Sequence, residues 1–368
     1  MMRRLVVDAR LLHYNRAGIG RYLRHLYRAM AGLGEALPFR ERDVTVLYAR
    51  KDAERRLRCA WPAAATAWTP PHHRMERWAL ALEVARLRPA LLHAPDHVCP
   101  QPLGWRSVLT VHDLAFRRLP ETHSAASRAY YAGLERSLAQ ATRVICVSEA
   151  TRRDLVDLAG ADPRKLRVVY EAPDPAYMPD GPAAAAPRPY FVFVGTIEPR
   201  KNVEGLIRAL AALNARAPAE RPQLRLVGAP GARAAAIMAL PRELGVEADV
   251  QFLGRLPTAD VAALYRGAIA LVYPSLLEGF GLPIVEAMAC GTPVVTSNRS
   301  SMVEVAGEAA ELVDPLDVGA LAGALAALLR DPRRRADLRR RGLARAGAFS
   351  WERAARETAA VFAEALQA

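Results

Sequence analysis

Two glutamates, Glu278 and Glu286, enclose a glycine turn in the segment Glu-Gly-Phe-Gly-Leu-Pro-Ile-Val-Glu. Gly279 and Gly281 let the backbone approach a ligand closely, because glycine has no Cβ. Pro283 predicts that a helix begins here, since proline is tolerated in the first helical turn. Free N–H groups at a helix start attract anions, and carboxylates accept hydrogen bonds from hydroxyl groups. The segment therefore predicts a site for an anionic, hydroxyl-rich ligand.

A second glycine turn carries positive charge. Gly195 and Thr196 follow a predicted strand at 190–194, and Arg200 and Lys201 come a few residues later. Arginine offers a planar fork of donors and lysine a point charge, and together they suit a diphosphate. For these residues alone, a solvated basic loop is an equally good interpretation. Their position at the carboxyl end of a strand favours binding, because ligands of open α/β sheets lie there.

The first half of the chain offers two less specific candidates. Gly18 and Gly20 open a helix, but Leu23 stands where a dinucleotide fingerprint has its third glycine, which disfavours dinucleotide binding. A loop that approaches a phosphate or an acceptor and an ordinary tight turn both remain as interpretations. His112 ends a predicted strand, where it either orients a substrate hydroxyl or phosphate or serves a structural role.

No pattern in the sequence predicts a metal site. Histidines and carboxylates do not occur with the spacing of a zinc site. An Asp-x-Asp pair, which would hold a divalent cation on a diphosphate, is also missing. We therefore expect a metal-independent site without a cofactor, built from arginine, lysine and backbone amides.

Strand and helix patterns alternate along all 368 residues, which predicts an α/β protein with parallel sheets in two domains. The predicted strands are 5–8, 44–48, 91–93, 107–112, 143–147, 166–169, 190–194, 223–227, 250–252, 268–273 and 292–296. Helical periodicity covers 20–31, 127–139, 203–215, 259–265, 283–289 and 351–366. The segment 172–189 contains six prolines among 18 residues, so it is predicted to be a linker without helix or central strand.

The net charge of +13 is uneven, because residues 1–180 hold 29 Lys and Arg against 19 Asp and Glu. A basic half indicates an anionic partner. No nucleic-acid-binding motif is present, so we expect no nucleic acid. The basic, amphipathic segment 74–88 carries Trp78, and either lies on an anionic membrane surface or packs on a sheet.

Four cysteines, Cys59, Cys99, Cys146 and Cys290, are far apart and show no C-x-x-C pairing. Buried free thiols in a reducing compartment are the expected state. Asp8 and Arg10 interrupt the apolar start of the chain, so residues 5–8 are interpreted as a strand instead of a signal segment. We expect a cytoplasmic protein. The basic charge of its first half is interpreted as favouring peripheral contact with the inner face of the membrane.

Taken together, these motifs resemble those of GT-B retaining glycosyltransferases of family 4, above all the mannosyltransferases of bacterial O-antigen and surface-polysaccharide assembly. The resemblance covers nearly the whole chain, and its most specific part is Glu278 to Glu286 with the following Ala-Met-Ala-Cys-Gly. It implies two Rossmann-like domains whose parallel sheets face a central cleft. The implied bounds are 1–178 for an acceptor domain and 188–349 for a donor domain, with a C-terminal helix at 350–368 that crosses back to the first domain.

The resemblance also implies roles for the candidate residues. Arg200 and Lys201 would hold the diphosphate and stabilise the leaving group, while Glu278 would bind donor-sugar hydroxyls and Glu286 the ribose. His112 would contact the donor sugar. The remaining donor-binding candidates are backbone positions near the phosphates, the sugar, the base or the acceptor: Gly18, Gly20, Gly195, Thr196, Arg255, Gly279, Phe280, Gly281 and Leu282.

The implied reaction is transfer of a hexose, with mannose from GDP-mannose as the first candidate, onto a glycan or lipid-linked glycan. The resemblance implies same-face attack by the acceptor, with retention. A double-displacement hydrolase is disfavoured because Glu286, two helical turns beyond Glu278, suits ribose better than an anomeric carbon. A UDP-sugar donor (glucose or GlcNAc) and a catalytically silent nucleotide-sugar-binding subunit are the alternatives. A nicotinamide-dependent oxidoreductase is disfavoured by the missing third glycine.

Overall fold

The computed structural model describes residues 4–14, 18–52, 57, 60–71, 73, 75–216 and 218–368. The chain forms two units, Met1–Glu171 with Ser350–Ala368, and Ala172–Phe349. Each unit is built on one sheet in which every strand pair is parallel. The prediction of an α/β chain with two parallel sheets is therefore confirmed.

The first unit has a seven-stranded sheet in the order β3-β2-β1-β4-β5-β6-β7. Its strands are β1 (Leu5–Asp8), β2 (Val44–Ala49), β3 (Ala64–Ala67), β4 (Leu91–Ala94), β5 (Arg106–Val111), β6 (Arg143–Cys146) and β7 (Leu166–Val168). Its helices up to residue 159 are α1 (Leu11–Tyr14), α2 (Gly18–Ala31), α3 (Glu76–Arg86), α4 (Ala115–Arg118), α5 (Ala125–Tyr131), α6 (Leu134–Gln140) and α7 (Glu149–Ala159). All residues of β1 and β4 are buried, so both faces of the sheet centre are covered.

The second unit has a six-stranded sheet in the order β10-β9-β8-β11-β12-β13. Its strands are β8 (Tyr190–Val194), β9 (Gln223–Val227), β10 (Val250–Gly254), β11 (Leu271–Tyr273), β12 (Val294–Ser297) and β13 (Glu311–Val313). Its helices are α8 (Val203–Arg216), α9 (Ala234–Glu243), α10 (Thr258–Gly267), α11 (Leu282–Ala289), α12 (Ser300–Ala306), α13 (Val318–Arg330) and α14 (Pro332–Ala346).

Strands with strong apolar runs were predicted at the right places, although β11 begins three residues and β12 two residues later than predicted, and two strands were missed. The missed β3 is rich in alanine, and the missed β13 is an edge strand in which no residue is fully buried. Because β5 ends at Val111, His112 is the first residue of the loop instead of the last of the strand. The single predicted helix 127–139 is two helices, since the chain turns at Ala132 and Gly133 between α5 and α6.

The proline-rich segment 172–189 contains neither helix nor strand, as predicted. It belongs to the second unit and is attached to α10. Arg266 donates hydrogen bonds to the carbonyls of Pro182 and Met178, and the rings of Tyr177 and Tyr265 meet edge-on. The predicted linker is thus fixed against its own unit along part of its length.

The last helix, α15 (Trp351–Gln367), packs in the first unit. Ser350 caps it by accepting a hydrogen bond from the Arg353 backbone N–H. Trp351 stacks on His25 at 5.4 Å between ring centroids, and Phe362 meets His93 at 5.3 Å. Its charged face is fixed by Glu364, which binds Arg143 and Arg167.

Three of the four cysteines, Cys99, Cys146 and Cys290, are free and buried, as expected. Burial raises the pKa of the Cys99 thiol to about 11 and that of Cys146 to about 12, so these thiols stay protonated at neutral pH. Cys59 lies outside the described residues. Within the described ranges, every helix is too short or too polar to cross a membrane.

We predict that Gly228→Ala destabilises the second unit by at least about 2 kcal/mol. A Cβ on Gly228 would lie 1.8 Å from the carbonyl oxygen of Gly195, so the two strand ends would have to separate. Gly323→Ala is the control, because no described atom lies within 4 Å of a Cβ there. Because Gly323 is an exposed helical glycine, Gly323→Ala should raise the free energy of unfolding by up to about 1 kcal/mol. Guanidinium unfolding measures both, and equal effects would contradict the prediction.

Candidate active site

The candidate site in the second unit lies where the strand order reverses. From β8 the chain adds β9 and β10 on one side of the sheet, and then β11, β12 and β13 on the other. β8 and β11 are therefore the two strands at the topological switch point of the sheet. Ligands of such sheets usually bind in the crevice outside the carboxyl ends of these strands. The two loops are joined by a hydrogen bond of 2.8 Å from the Leu276 N–H to the carbonyl of Arg200.

Lys201, Tyr273 and Glu278 form a closed triangle in this crevice. Lys201 Nζ lies 2.5 Å from Glu278 Oε1 and 2.9 Å from the Tyr273 hydroxyl. The Tyr273 hydroxyl donates to the same Glu278 oxygen at 2.8 Å. All three side chains are buried, so each charge is compensated inside the protein instead of by water.

Arg200 binds the same carboxylate more loosely. Its Nη1 lies 3.4 Å from Glu278 Oε2 and donates to the carbonyl of Leu277 at 3.0 Å. Its Nη2 donates to Glu198 Oε1 at 3.1 Å. The guanidinium is therefore positioned between two carboxylates and remains half-buried.

The charges of this cluster hold each other in place. Burial alone would raise the pKa of the Glu278 carboxyl, but Lys201 and Arg200 outweigh it and lower that pKa. Burial raises the pKa of Tyr273 well above its ordinary value, so its hydroxyl remains a donor. Burial, with Arg200 close by, lowers the pKa of the Lys201 ammonium, although Glu278 opposes this.

The glycine turn after Glu278 is held by serines of α12. Ser301 Oγ donates to the carbonyls of Glu278 and Phe280 at 2.9 and 3.0 Å, and Ser300 Oγ donates to Glu278 at 2.8 Å. Gly281 has φ of 103° where α11 begins, a conformation that glycine adopts without strain. Gly279 and Phe280 are buried and Leu282 is half-buried, so the turn is a rigid part of the site.

Glu286 lies on α11 and is almost completely buried. The Tyr265 hydroxyl is 3.5 Å from its Oε2, a weak contact. The structure thus places Glu286 and Glu278 on one loop-helix segment but with different neighbours.

The other predicted positions of the second unit surround the ends of β8, β9 and β10. Gly195 donates from its N–H to the carbonyl of Val227 at 2.8 Å, and Gly228 donates to Gly254 at the same distance. Thr196 and Arg255 are exposed at this edge. Gly228 was not predicted, although a glycine directly after a strand is the signal that indicated Gly195.

His112, Gly18 and Gly20 belong to the first unit. His112 Nε2 donates to the carbonyl of Pro95 at 3.1 Å, and Nδ1 lies 3.2 Å from Glu171 Oε1. Gly18 is exposed and Gly20 buried at the start of α2. The ring of Tyr22, one turn further along α2, lies 4.9 Å from that of His112, so the helix start and the histidine are neighbours.

A buried ion pair fixes the backbone beside His112. His97 Nδ1 lies 2.6 Å from Asp96 Oδ1, and Nε2 donates to the carbonyl of Asp113 at 2.7 Å. Burial would lower the pKa of His97, but Asp96 outweighs it and raises that pKa. Conversely, burial would raise the pKa of Asp96, but His97 lowers it.

The sequence analysis did not identify five residues of the cluster around Glu278 and the cluster around His112: Asp96, His97, Glu171, Glu198 and Tyr273. Each lies within a few residues of the carboxyl end of a strand, which is the only signal that marks them before the strand order is known.

The comparisons with known proteins agree with this architecture. Residues 180–345 match the family described as Glycosyl transferases group 1, and residues 16–177 match the one described as Glycosyltransferase Family 4. O-antigen chain mannosyltransferase B of Escherichia coli is 34% identical over 307 residues, which cover 81% of this chain and 79% of that protein. The chain belongs to glycosyltransferase family 4.

This glycosyltransferase is also similar to other relatives and to solved structures. D-inositol 3-phosphate glycosyltransferase of Salinispora tropica is 37% identical over 64% of this chain, which spans 53% of that relative. Sucrose-phosphate synthase of Thermosynechococcus elongatus superposes with a TM-score of 0.80 at 24% identity, covering 98% of both chains. Anabaena HepE in complex with UDP and glucose gives 0.75 at 19% identity, covering 99% of this chain and 100% of its own. These structures confirm the expected GT-B fold.

In the part of the glycosyltransferase that the structure describes, no three His, Cys, Asp or Glu side chains are arranged to hold a metal ion. Metal independence remains a prediction.

We predict that Asp96→Asn removes one pH-dependent part of the stability. The raised pKa of His97 means that its ion pair contributes fully below about pH 6.5 and is lost as pH rises through the folded-state value. The wild type should therefore lose stability relative to Asp96→Asn as the pH rises above about 6.5. Urea unfolding below and above this pH measures the difference. Asp337→Asn, whose partners are Arg340 and Arg341, should follow the wild-type curve. Parallel curves for wild type and Asp96→Asn would contradict the prediction.

Proposed function

We propose that this glycosyltransferase transfers a hexose with retention, using mannose from GDP-mannose, onto a glycan or lipid-linked glycan in cell-surface polysaccharide synthesis. The observation that carries the proposal is the cluster of Arg200, Lys201, Tyr273 and Glu278 at the switch point of the second sheet. The donor sugar and the pathway are supported by similarity to the O-antigen chain mannosyltransferase over most of both chains.

The cluster suits departure of a nucleoside diphosphate. As the bond from the anomeric carbon to the diphosphate oxygen breaks, negative charge grows on the phosphates. Arg200 and Lys201 are already oriented by Glu198, Glu278 and Tyr273, so their positive charge stabilises the leaving group without costly rearrangement. The acceptor hydroxyl forms its bond on the same face of the sugar, and its proton passes to the departing phosphate oxygen.

Glu278 is proposed to serve two partners. Its Oε1 is held by Lys201 and Tyr273, whereas Oε2 has a long contact of 3.4 Å to Arg200. The second oxygen therefore retains capacity for hydroxyl groups of the donor sugar. Contact of Glu286 with the ribose, of His112 with the donor sugar and of the backbone near Arg255 with the base remain predictions.

A UDP-sugar donor is the second candidate. The fold is shared with HepE, whose structure contains UDP and glucose, but a likeness at 19% identity concerns the fold alone. A catalytically silent subunit is disfavoured by the complete Arg200, Lys201 and Glu278 cluster.

The donor is tested by thermal-shift titration with GDP-, UDP-, TDP- and ADP-sugars in the presence of EDTA. We expect GDP-mannose to raise the melting temperature most, since mass action stabilises the form that binds. Selective stabilisation by a UDP-sugar would replace the proposed donor. A shift that appears only after a divalent cation is added would refute metal independence. The anomeric configuration of the product, read by NMR, tests retention.

Arg200→Gln should lower kcat by about 10²–10³, because one preorganised charge on the leaving group is lost. Arg208→Gln is the matched control, since Arg208 lies exposed on α8 and pairs with Glu204. Release of nucleoside diphosphate measures turnover, and melting temperature confirms folding of both variants. Unchanged kcat in a folded Arg200→Gln protein would refute the leaving-group role.

A further inference from the structure

The glycine turn of the candidate site, residues 278–282, is supported by two separate contacts. Ser300 and Ser301, the first residues of α12, donate hydrogen bonds to its carbonyls. The buried ring of Phe280 meets that of Phe349 edge-on, with 5.5 Å between the ring centroids. Phe349 is the last residue of the second unit and follows α14. The position of the turn therefore depends on α12 and on the end of α14, both distant from it in sequence.

Arg345 of α14 connects these two supports. Its Nε donates to the carbonyl of Val305 at 2.9 Å and its Nη2 to that of Glu304 at 2.5 Å. Both carbonyls lie in the last turn of α12, where backbone carbonyls have no partner within the helix. The same guanidinium lies over the ring of Phe349, 4.8 Å from the centroid. One side chain thus holds the end of the helix that binds the turn and the ring that packs on the turn.

The geometry of these contacts requires an arginine. A planar guanidinium can donate two hydrogen bonds in its plane and still stack its face on an aromatic ring. The Arg345 side chain uses both properties at once, since its fork binds two adjacent carbonyls of α12 and its face covers Phe349. A lysine is a point charge without a plane, so it cannot reproduce the fork or the stacked face.

Another arginine of α14 shows what capping alone provides. Arg335 is also half-buried, and it donates to the carbonyls of Leu328 and Leu329 at the end of α13, at 2.6 and 3.0 Å. Like Arg345, it satisfies carbonyls that a helix end leaves without partners. α13 packs on α8. Arg345 differs because the helix that it caps and the ring that it covers both contact the glycine turn.

We propose that Arg345 is a positioning residue for donor binding, which sets the glycine turn through α12 and Phe349. The inference rests on the proposed function, in which the backbone of the turn lies against the nucleotide-sugar donor. Contacts of this kind hold the donor equally well before and during the reaction, so a displaced turn weakens binding more than chemistry. Arg345 therefore acts on KM, whereas Arg200 acts on kcat.

Hydrogen exchange in the ligand-free, full-length protein tests the positioning itself. Arg345→Gln should speed amide exchange in the glycine turn and in α12 by about fivefold or more, because local opening becomes easier when both supports weaken. Arg335→Gln is the matched control, since it loses two bonds of the same kind at the end of α13. It should leave exchange in both segments unchanged. Equal acceleration in the two variants, or none in Arg345→Gln, would overturn the proposal.

Release of GDP from GDP-mannose tests the consequence for the reaction. Arg345→Gln should raise KM about tenfold, while kcat changes less than about threefold. Arg335→Gln should change neither constant. A lower kcat at unchanged KM, or faster exchange in the turn with both constants unchanged, would overturn the link between Arg345 and the donor. If the wild type does not turn over GDP-mannose, the proposed donor fails, and the exchange rates still decide whether Arg345 positions the turn.

Two further variants keep the test valid if Arg345→Gln does not fold. Arg345→Lys retains the charge and one donor, so its KM should lie between those of the wild type and Arg345→Gln. Phe349→Leu removes the ring beneath the guanidinium. Because Arg345 and Phe349 contact each other, the double substitution should raise KM by less than the product of the single effects. Fully multiplicative effects would show independent action and overturn the assignment of Phe349 to this support.

Discussion

The buried ion pair between Lys201 and Glu278 is the constraint on which the candidate site depends. Both groups are removed from water, and a buried charge is tolerated only when its partners satisfy it. Loss of one member of such a pair typically costs about 3–5 kcal/mol, because the other charge is left uncompensated. The loops after β8 and β11 must therefore stay together, which fixes Arg200 and the glycine turn relative to the sheet.

The first unit also has buried, paired charges at the switch point of its sheet. Its order β3-β2-β1-β4 reverses between β1 and β4, and Arg10 follows β1. Arg10 binds Asp8 at 2.7 Å and Glu76 at 2.5 Å, and Tyr130 donates to Glu76 at 3.0 Å. Burial would lower the pKa of Arg10, but its two carboxylate partners outweigh it and raise that pKa. In both units, compensated buried charges hold polar loops at the edge where parallel strands diverge.

The sequence predicts the helices and strands better than it predicts the contacts between them. Apolar runs such as 190–194 specify strands because both faces of a parallel sheet are buried, whereas the alanine-rich β3 carries no such signal. Glu278 was identified by its glycine turn. Tyr273 was not, since its role depends on Lys201, which lies 72 residues away and is adjacent only because β8 pairs with β11. Glu171 is likewise 59 residues from His112. Long-range pairing of this kind follows from strand order, which local pattern does not encode.

The arrangement of charges also bears on which cation would respond to the diphosphate of the proposed donor. Arg200 and Lys201 face two carboxylates, Glu198 and Glu278, so the four groups nearly balance. Lys201 has two short bonds in a buried triangle, and turning away would break both. Arg200 is half-buried and its contact to Glu278 is 3.4 Å, close to the limit of a hydrogen bond. Under the proposed function, Arg200 would exchange its weak contact to Glu278 for a strong, bidentate one to the arriving anion, while Lys201 would supply a fixed field. If Arg200 moved to the diphosphate, Glu278 Oε2 would become available to a hydroxyl group. Anion binding and sugar binding would then reinforce each other through one carboxylate.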